Sequence, residues 1–167
     1  FTSMLQGQRD LGAVGRMLLS ELTPLVDAQL GVIYQHDGRD PPALRLLSAY
    51  GDAGTNGHPE RIDIGEGLIG QCAADGKRIW LTSIPGHIAP ITTGLFQYRP
   101  ENVIVLPVLF EGQVKAVIEL ASLTAFTSSK VAFLEQLTAS IGIVLNSIEA
   151  TMKTEGLLTQ SQTLASE

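Results

Sequence analysis

The stretch from Asn102 to Leu123 most narrows what this chain can fold into. Val103 to Phe110 and Val114 to Leu120 are two runs of β-branched and large apolar residues, separated by Glu111-Gly112. Glycine supplies the positive φ that a short hairpin turn needs, so the stretch reads as two antiparallel strands. Alternation puts Val103, Val105 and Pro107 on one face and Ile104, Leu106 and Val108 on the other. Both faces are apolar, which predicts a hairpin at the centre of a sheet covered on both sides. Pro107 removes a ladder donor and so predicts a bulge or an edge there.

The rest of the chain has to supply those two covers. In order, the pattern predicts a helix over 4–28, with Leu11, Val14, Leu18, Leu22 and Leu25 on one stripe and Pro24 bending or ending it near Thr23. Strands follow over 29–35 and 43–50, joined by a loop carrying Gly38 and Pro41-Pro42. A short strand over 61–64, a short helix over 68–75 ended by Gly76, and a strand over 77–84 come next. Residues 85–100 read as irregular, punctuated by proline and glycine yet carrying His87, Ile88, Phe96 and Tyr98. Such a segment suits a pocket wall or a lid. A final helix, capped by Thr127 or Ser128, runs without proline to the end of the chain. Its apolar face is Val131, Leu134, Leu137, Ile141, Val144, Leu145 and Ile148, narrowing through Met152. These elements divide the 167 residues into an N-terminal helix (1–28), a core (29–126) and a C-terminal helix (127–167).

Composition excludes several functions. The 44% apolar fraction supports a folded core. A net charge of −6 argues against nucleic-acid or membrane-surface binding, and no uninterrupted apolar run is long enough to cross a bilayer. The only cysteine, Cys72, rules out an internal disulfide and fits a reducing, cytoplasmic setting, compatible with membership of a membrane-anchored receptor. The chain starts and stops inside helical patterns, as expected of a piece of something longer.

The order of parts resembles the GAF domain family of small-molecule sensor modules. The matching residues are Leu106-Pro107-Val108, Glu111-Gly112, Val117 to Ser122, Phe126 and Phe133-Leu134, with Gly65 to Gly70 and Asp75-Gly76-Lys77 upstream. The resemblance spans about residues 30–149 and is nearest to GAF domains that precede the kinase core of bacterial hybrid histidine kinases. It implies an α+β fold with a central antiparallel sheet, the terminal helices on one face, and the short helix and loops on the other. Ala116 departs from the family's usual glycine.

Candidate chemistry is sparse. Some relatives attach a bilin through a cysteine with a histidine nearby, but no histidine closely follows Cys72, and a lone cysteine on an apolar helix face is packing. His36, His58 and His87 show no metal-site spacing with one another, Cys72 or the acids. Gly65-Glu66-Gly67-Leu68-Ile69-Gly70 lacks the lysine-serine pair of a phosphate loop and reads as a turn and helix start. The asparagine-lysine…phenylalanine…aspartate-glutamate signature of the family's cyclic-nucleotide binders is missing. Glu119 is a single acid in an apolar strand and does not by itself make an acid–base site. No nucleophile arrangement stands out, and one cysteine cannot supply a reductase's catalytic pair. These features predict a regulatory domain and no enzyme, and they name no cofactor.

Two functions follow. One is ligand sensing, with a pocket between the sheet, the Cys72 helix and residues 85–98, lined by Trp80, Ile88, Phe96, Tyr98 and Leu106 with His87 as a polar contact. The other is a dimerisation and relay module without a ligand. In either case the helices carry more apolar surface than one sheet needs. The expected partners are a second copy, meeting through Leu11, Val14, Leu18, Ile141, Leu145, Ile148 and Met152, and a downstream kinase or other effector.

Overall fold

The computed structural model describes the backbone of residues 11–51, 58–82, 91–92, 97–98 and 100–166, and the side chains of 11–51, 58–82 and 100–152. Strands β7 (Asn102–Phe110) and β8 (Gln113–Ser122) form the expected hairpin, paired from Asn102–Ser122 to Phe110–Gln113. The turn uses positive φ at both Glu111 (51°) and Gly112 (78°), so a non-glycine residue shares the left-handed conformation. That combination matches the right-handed twist of the flanking strands.

On the other side of β8 lies β1 (Leu30–His36), then β2 (Ala43–Tyr50), with β3 (Arg61–Asp63) at one edge. Strand β4 (Ile79–Leu81) pairs with β7 at the other edge. The order β3-β2-β1-β8-β7-β4 is antiparallel throughout and keeps the hairpin inside the sheet. Strand β4 reaches only Val103 to Val105, so among the described residues β7 has no strand partner on that side beyond Val105, and Pro107 sits there without disturbing a ladder. The expected irregularity falls one step later, between Val108 and Leu109. Within 85–100, read as irregular from the sequence, β5 (Ile91–Thr92) and β6 (Gln97–Tyr98) pair as a small separate ribbon. Two-residue strands are too short for a period-two pattern to reveal them.

The two faces of the sheet are covered differently. Helix α1 (Leu11–Leu25) and helix α3 (Ser128–Ser166) lie together on one face, where Val14, Leu18 and Leu22 meet Ile33, Ile104, Leu106, Ile118 and Leu120, and Leu134, Ile141, Leu145 and Ile148 of α3. Helix α2 (Gly67–Asp75) covers the opposite face with Ile69 and Cys72 against Val32, Tyr34, Leu44, Val103, Val105 and Val117. Helix α1 runs one residue past Pro24, and the amides of Asp27 and Ala28 cap its last carbonyls on Pro24 and Thr23. Gly76 ends α2 with φ of 64°, donating to Cys72 O at 2.8 Å. Thr127 Oγ1 accepts the Lys130 amide at 3.2 Å and caps α3.

This packing corrects the expected interface between copies. Val14, Leu18, Ile141, Leu145 and Ile148 are all buried inside the protomer's own core, and Leu11 packs partly against it. Covering both terminal helices' share of one wide sheet uses the whole apolar stripe. Of the seven residues, Met152 alone is exposed: it continues the Ile141–Leu145–Ile148 stripe past the last core contact. The face of α3 turned outwards instead carries Phe133, Gln136, Ser140, Ile143, Ser147 and Ala150, at spacings of three and four and with no charge among them.

Segment Ser128–Met152 of α3 is long and apolar enough to cross a membrane by length and composition, although no uninterrupted apolar run is. Val131, Leu134, Ile141, Val144, Leu145 and Ile148 of this segment pack into the protomer's core, so much of its apolar character belongs to a core helix.

Candidate functional site

The α2-side face of the sheet carries two buried titratable groups, Glu119 and Tyr34. Strand β8 presents Val117, Glu119 and Ala121 to this side, because Val117 and Ala121 belong to the core beneath α2 and alternate residues share a face. Glu119 lies opposite Val32 of β1 and Val105 of β7, in the middle of the six strands. A carboxyl in such surroundings loses hydration, and burial pushes its pKa up to about 6. Tyr34, a step along β1, is pushed up to about 12 by burial and then by the Glu119 charge. Its hydroxyl donates to Pro59 O at 2.7 Å, tying the β2–β3 loop to the sheet. A carboxyl with a raised pKa near a neutral phenol can accept a hydrogen bond from a ligand or, once ionised, pair with a cation.

Cys72 projects into the same layer from α2 and is fully buried. Burial, and after it the Asp75 charge, raise its pKa to about 12. It is therefore a neutral thiol at physiological pH, unsuited to act as a nucleophile or a metal ligand.

The residues expected to line a pocket do not all meet. Trp80 pairs with Ile104 and packs, like Leu106, against the core under α1 and α3. The period-two alternation that put Ile104 and Leu106 opposite Val103 and Val105 places both on the sheet face away from α2, so they cannot line a pocket beneath it. Leu106 instead floors a groove of about 360 Å³ between Gly76–Arg78 and Glu135–Ala139 of α3. The Trp80 indole donates to Asn102 Oδ1 at 3.1 Å. His87, Ile88 and Phe96 lie outside the described residues, as does the side chain of Tyr98, whose backbone pairs with Ile91 in β6. No local spacing in the sequence links Glu119 and Tyr34. The signal was present in register: both face the Val103–Val105 side once β1 and β8 pair.

The other candidates are structural. Gly65 N donates to Gly70 O at 2.8 Å and Gly70 N to Glu66 O at 3.0 Å, so these amides close a turn and do not point at a phosphate. His36 Nδ1 accepts the Gly38 amide at 3.1 Å inside the β1–β2 loop. Among the described residues no three of His, Cys, Asp and Glu gather as metal ligands. A second cleft, about 640 Å³, opens at the hairpin end of the sheet, between the β1–β2 loop, the C-terminal end of α2, the Gly112 turn and Glu149 of α3.

Known proteins share this architecture. The GAF domain of a phosphoenolpyruvate-protein phosphotransferase from Coxiella burnetii superposes with a TM-score of 0.72 at 18% identity, over 91% of this chain and 92% of that one. Residues 122 to 287 of a methyl-accepting chemotaxis protein give 0.69 at 16%, over 90% and 97%. A free methionine-R-sulfoxide reductase from Neisseria meningitidis, in complex with its substrate, gives 0.69 at 20%, over 90% and 86%. At such identities the likeness is one of fold, and it spans both signalling proteins and an enzyme. No curated protein sequence matches the chain. A sequence model of the GAF domain matches residues 8–146, and the chain, with its six-stranded antiparallel sheet between two terminal helices and a short third, is a member of the GAF domain family.

Proposed function

We propose that this GAF domain is a sensory and relay module that binds a small molecule on the α2-side face of its sheet. The observation that carries the reading is the placement of Glu119 and Tyr34 at the centre of an otherwise apolar face. Apolar walls with a few fixed polar groups suit a compact ligand bearing a hydrogen-bond donor or a cationic nitrogen. The neutral, buried Cys72 supports a regulatory rather than a catalytic role. Residues His87, Ile88, Phe96 and Tyr98 remain proposed contributors from the segment that follows β4.

In this reading the relay runs through α3, which continues as helix to Ser166, well past Ile148, the last core residue among the described side chains. Two copies meet through the uncharged outer face of α3, centred on Phe133 and Ile143, and Met152 continues the contact below the domain. The effector in this reading is most simply a histidine kinase core in a cytoplasmic chain, as the order of motifs from Gly65 to Leu134 suggests. Native mass spectrometry of the purified protein tests the sensing half. A co-purifying small molecule that is retained by the wild type and lost from Glu119→Ala supports it. Clean protein whose thermal midpoint no metabolite or amine library moves leaves a relay module without a ligand.

A further inference from the structure

Helix α3 is attached to the sheet in two chemically different ways. At Gly142 its backbone lies directly on β7: a Cβ built there would meet Leu109 O at 2.1 Å. Leu109 sits at the register shift of β7. No side chain separates helix from strand at that point, so the helix has a close, smooth contact about which it can tilt. On the N-terminal side α3 is tied by ion pairs from Glu135 to Arg78 at 2.5 Å and from Lys130 to Asp27 at 2.7 Å.

Further along the helix, Glu149 makes a polar tie to two strands of the sheet. Gln35 Nε2 of β1 donates to its Oε1 at 3.0 Å, and Lys115 Nζ of β8 lies 3.5 Å from its Oε2. Gln35 and Lys115 sit on neighbouring strands, since Gln35 pairs with Ala116. All three residues line the cleft of about 640 Å³, which also touches the C-terminal end of α2 and the Gly112 turn. Lys115 and Glu149 are each partly exposed there, so water can compete for the contact. Only three residues later Met152 is already exposed.

We propose that Gly142 is a pivot and the Glu149–Gln35–Lys115 contact a latch, which together set the direction in which α3 leaves the domain. The inference rests on the relay reading and gives it a mechanical element. With the latch closed, the helix end follows β1 and β8. With it open, the segment after Gly142 is left to the packing of Val144, Leu145 and Ile148 and tilts about Leu109, while the N-terminal half keeps both its ion pairs and the packing of Val131 and Leu134. A hinge at a small residue with a breakable polar stop is a common way to make a two-state element. Anything that shifts β1 against β8 changes the spacing of Gln35 and Lys115 and so biases the latch.

Hydrogen exchange of the whole chain tests this directly. Glu149→Ala should speed amide exchange over residues 145–152 by about five- to tenfold, the effect of one lost charge-assisted contact, with residues 131–141 at wild-type rates. Lys115→Met, a gentler change at a partly exposed position, should act in the same region and direction with a smaller factor. Unchanged exchange over 145–152 in both variants overturns the latch. Acceleration spread evenly along α3 overturns it too, because that is plain loss of packing. Neither result depends on a ligand or an effector, so the latch can fail while the relay reading stands.

Discussion

Asn102 and Trp80 are joined at the start of β7, where the indole Nε1 donates to Asn102 Oδ1 at 3.1 Å. The same oxygen accepts the Phe126 amide at 3.0 Å, and Asn102 is buried. One side-chain amide thus ties edge strand β4 and the lead-in to α3 to β7. Asn102→Ala leaves two donors without this acceptor and should lower stability by about 2–4 kcal/mol. Urea unfolding followed by the fluorescence of the single tryptophan measures this, and a loss under 0.5 kcal/mol would contradict it.

Glu119 predicts a pH dependence. Its pKa is raised in the fold, from 4.5 to about 6, so the native state binds a proton more tightly than the unfolded chain. The ionised carboxylate therefore lowers stability above pH 6, and that cost disappears as pH falls through 6 towards 4.5. Glu119→Gln should be more stable than wild type by about 2 kcal/mol at pH 7.5 and equal to it near pH 4. Paired denaturation curves at the two values check it; a difference that does not shrink on acidification is the contrary result.

Cys72 should be inert in the native protein. A fully buried thiol with a pKa pushed up to about 12 offers almost no thiolate at pH 8. Reaction with an aromatic disulfide reagent should proceed only as fast as the fold opens and become rapid in denaturant. Stoichiometric labelling of folded protein within seconds would refute the burial.

In the proposed dimer the outer face of α3 should separate association from folding. Ile143 is 61% exposed and Phe133 42%, whereas Ile141 is 1% exposed. Phe133→Glu and Ile143→Glu should turn a dimer into a monomer in sedimentation while changing protomer stability by no more than about 0.5 kcal/mol. Ile141→Glu buries an unpaired charge and should cost on the order of 4 kcal/mol, unfolding the domain instead. A dimer untouched by both outer-face changes would exclude that surface.

Local pattern was enough for much of this fold. Alternation in 102–122 with Glu111-Gly112 between the strands specified the central hairpin and its two faces, because side chains in a strand must alternate. Spacings of three and four along 11–25 and 131–148 specified two helices with one apolar stripe each. What the pattern could not divide was that apolar surface between the protomer's own sheet and a partner. Ile141 and Ile143 look alike in sequence, and only the docking of α3 on β7 and β8 buries one and exposes the other. The site followed the same logic. Trp80 and Leu106 are aromatic and apolar residues that could line a pocket, but strand register turned them to the face under α1 and α3. Glu119 was an unremarkable single acid until pairing with β1 set it beside Tyr34, at the centre of a desolvated face. A carboxyl's pKa and a hydroxyl's partner depend on groups brought together from distant positions in the chain, and that juxtaposition exists only in the folded sheet.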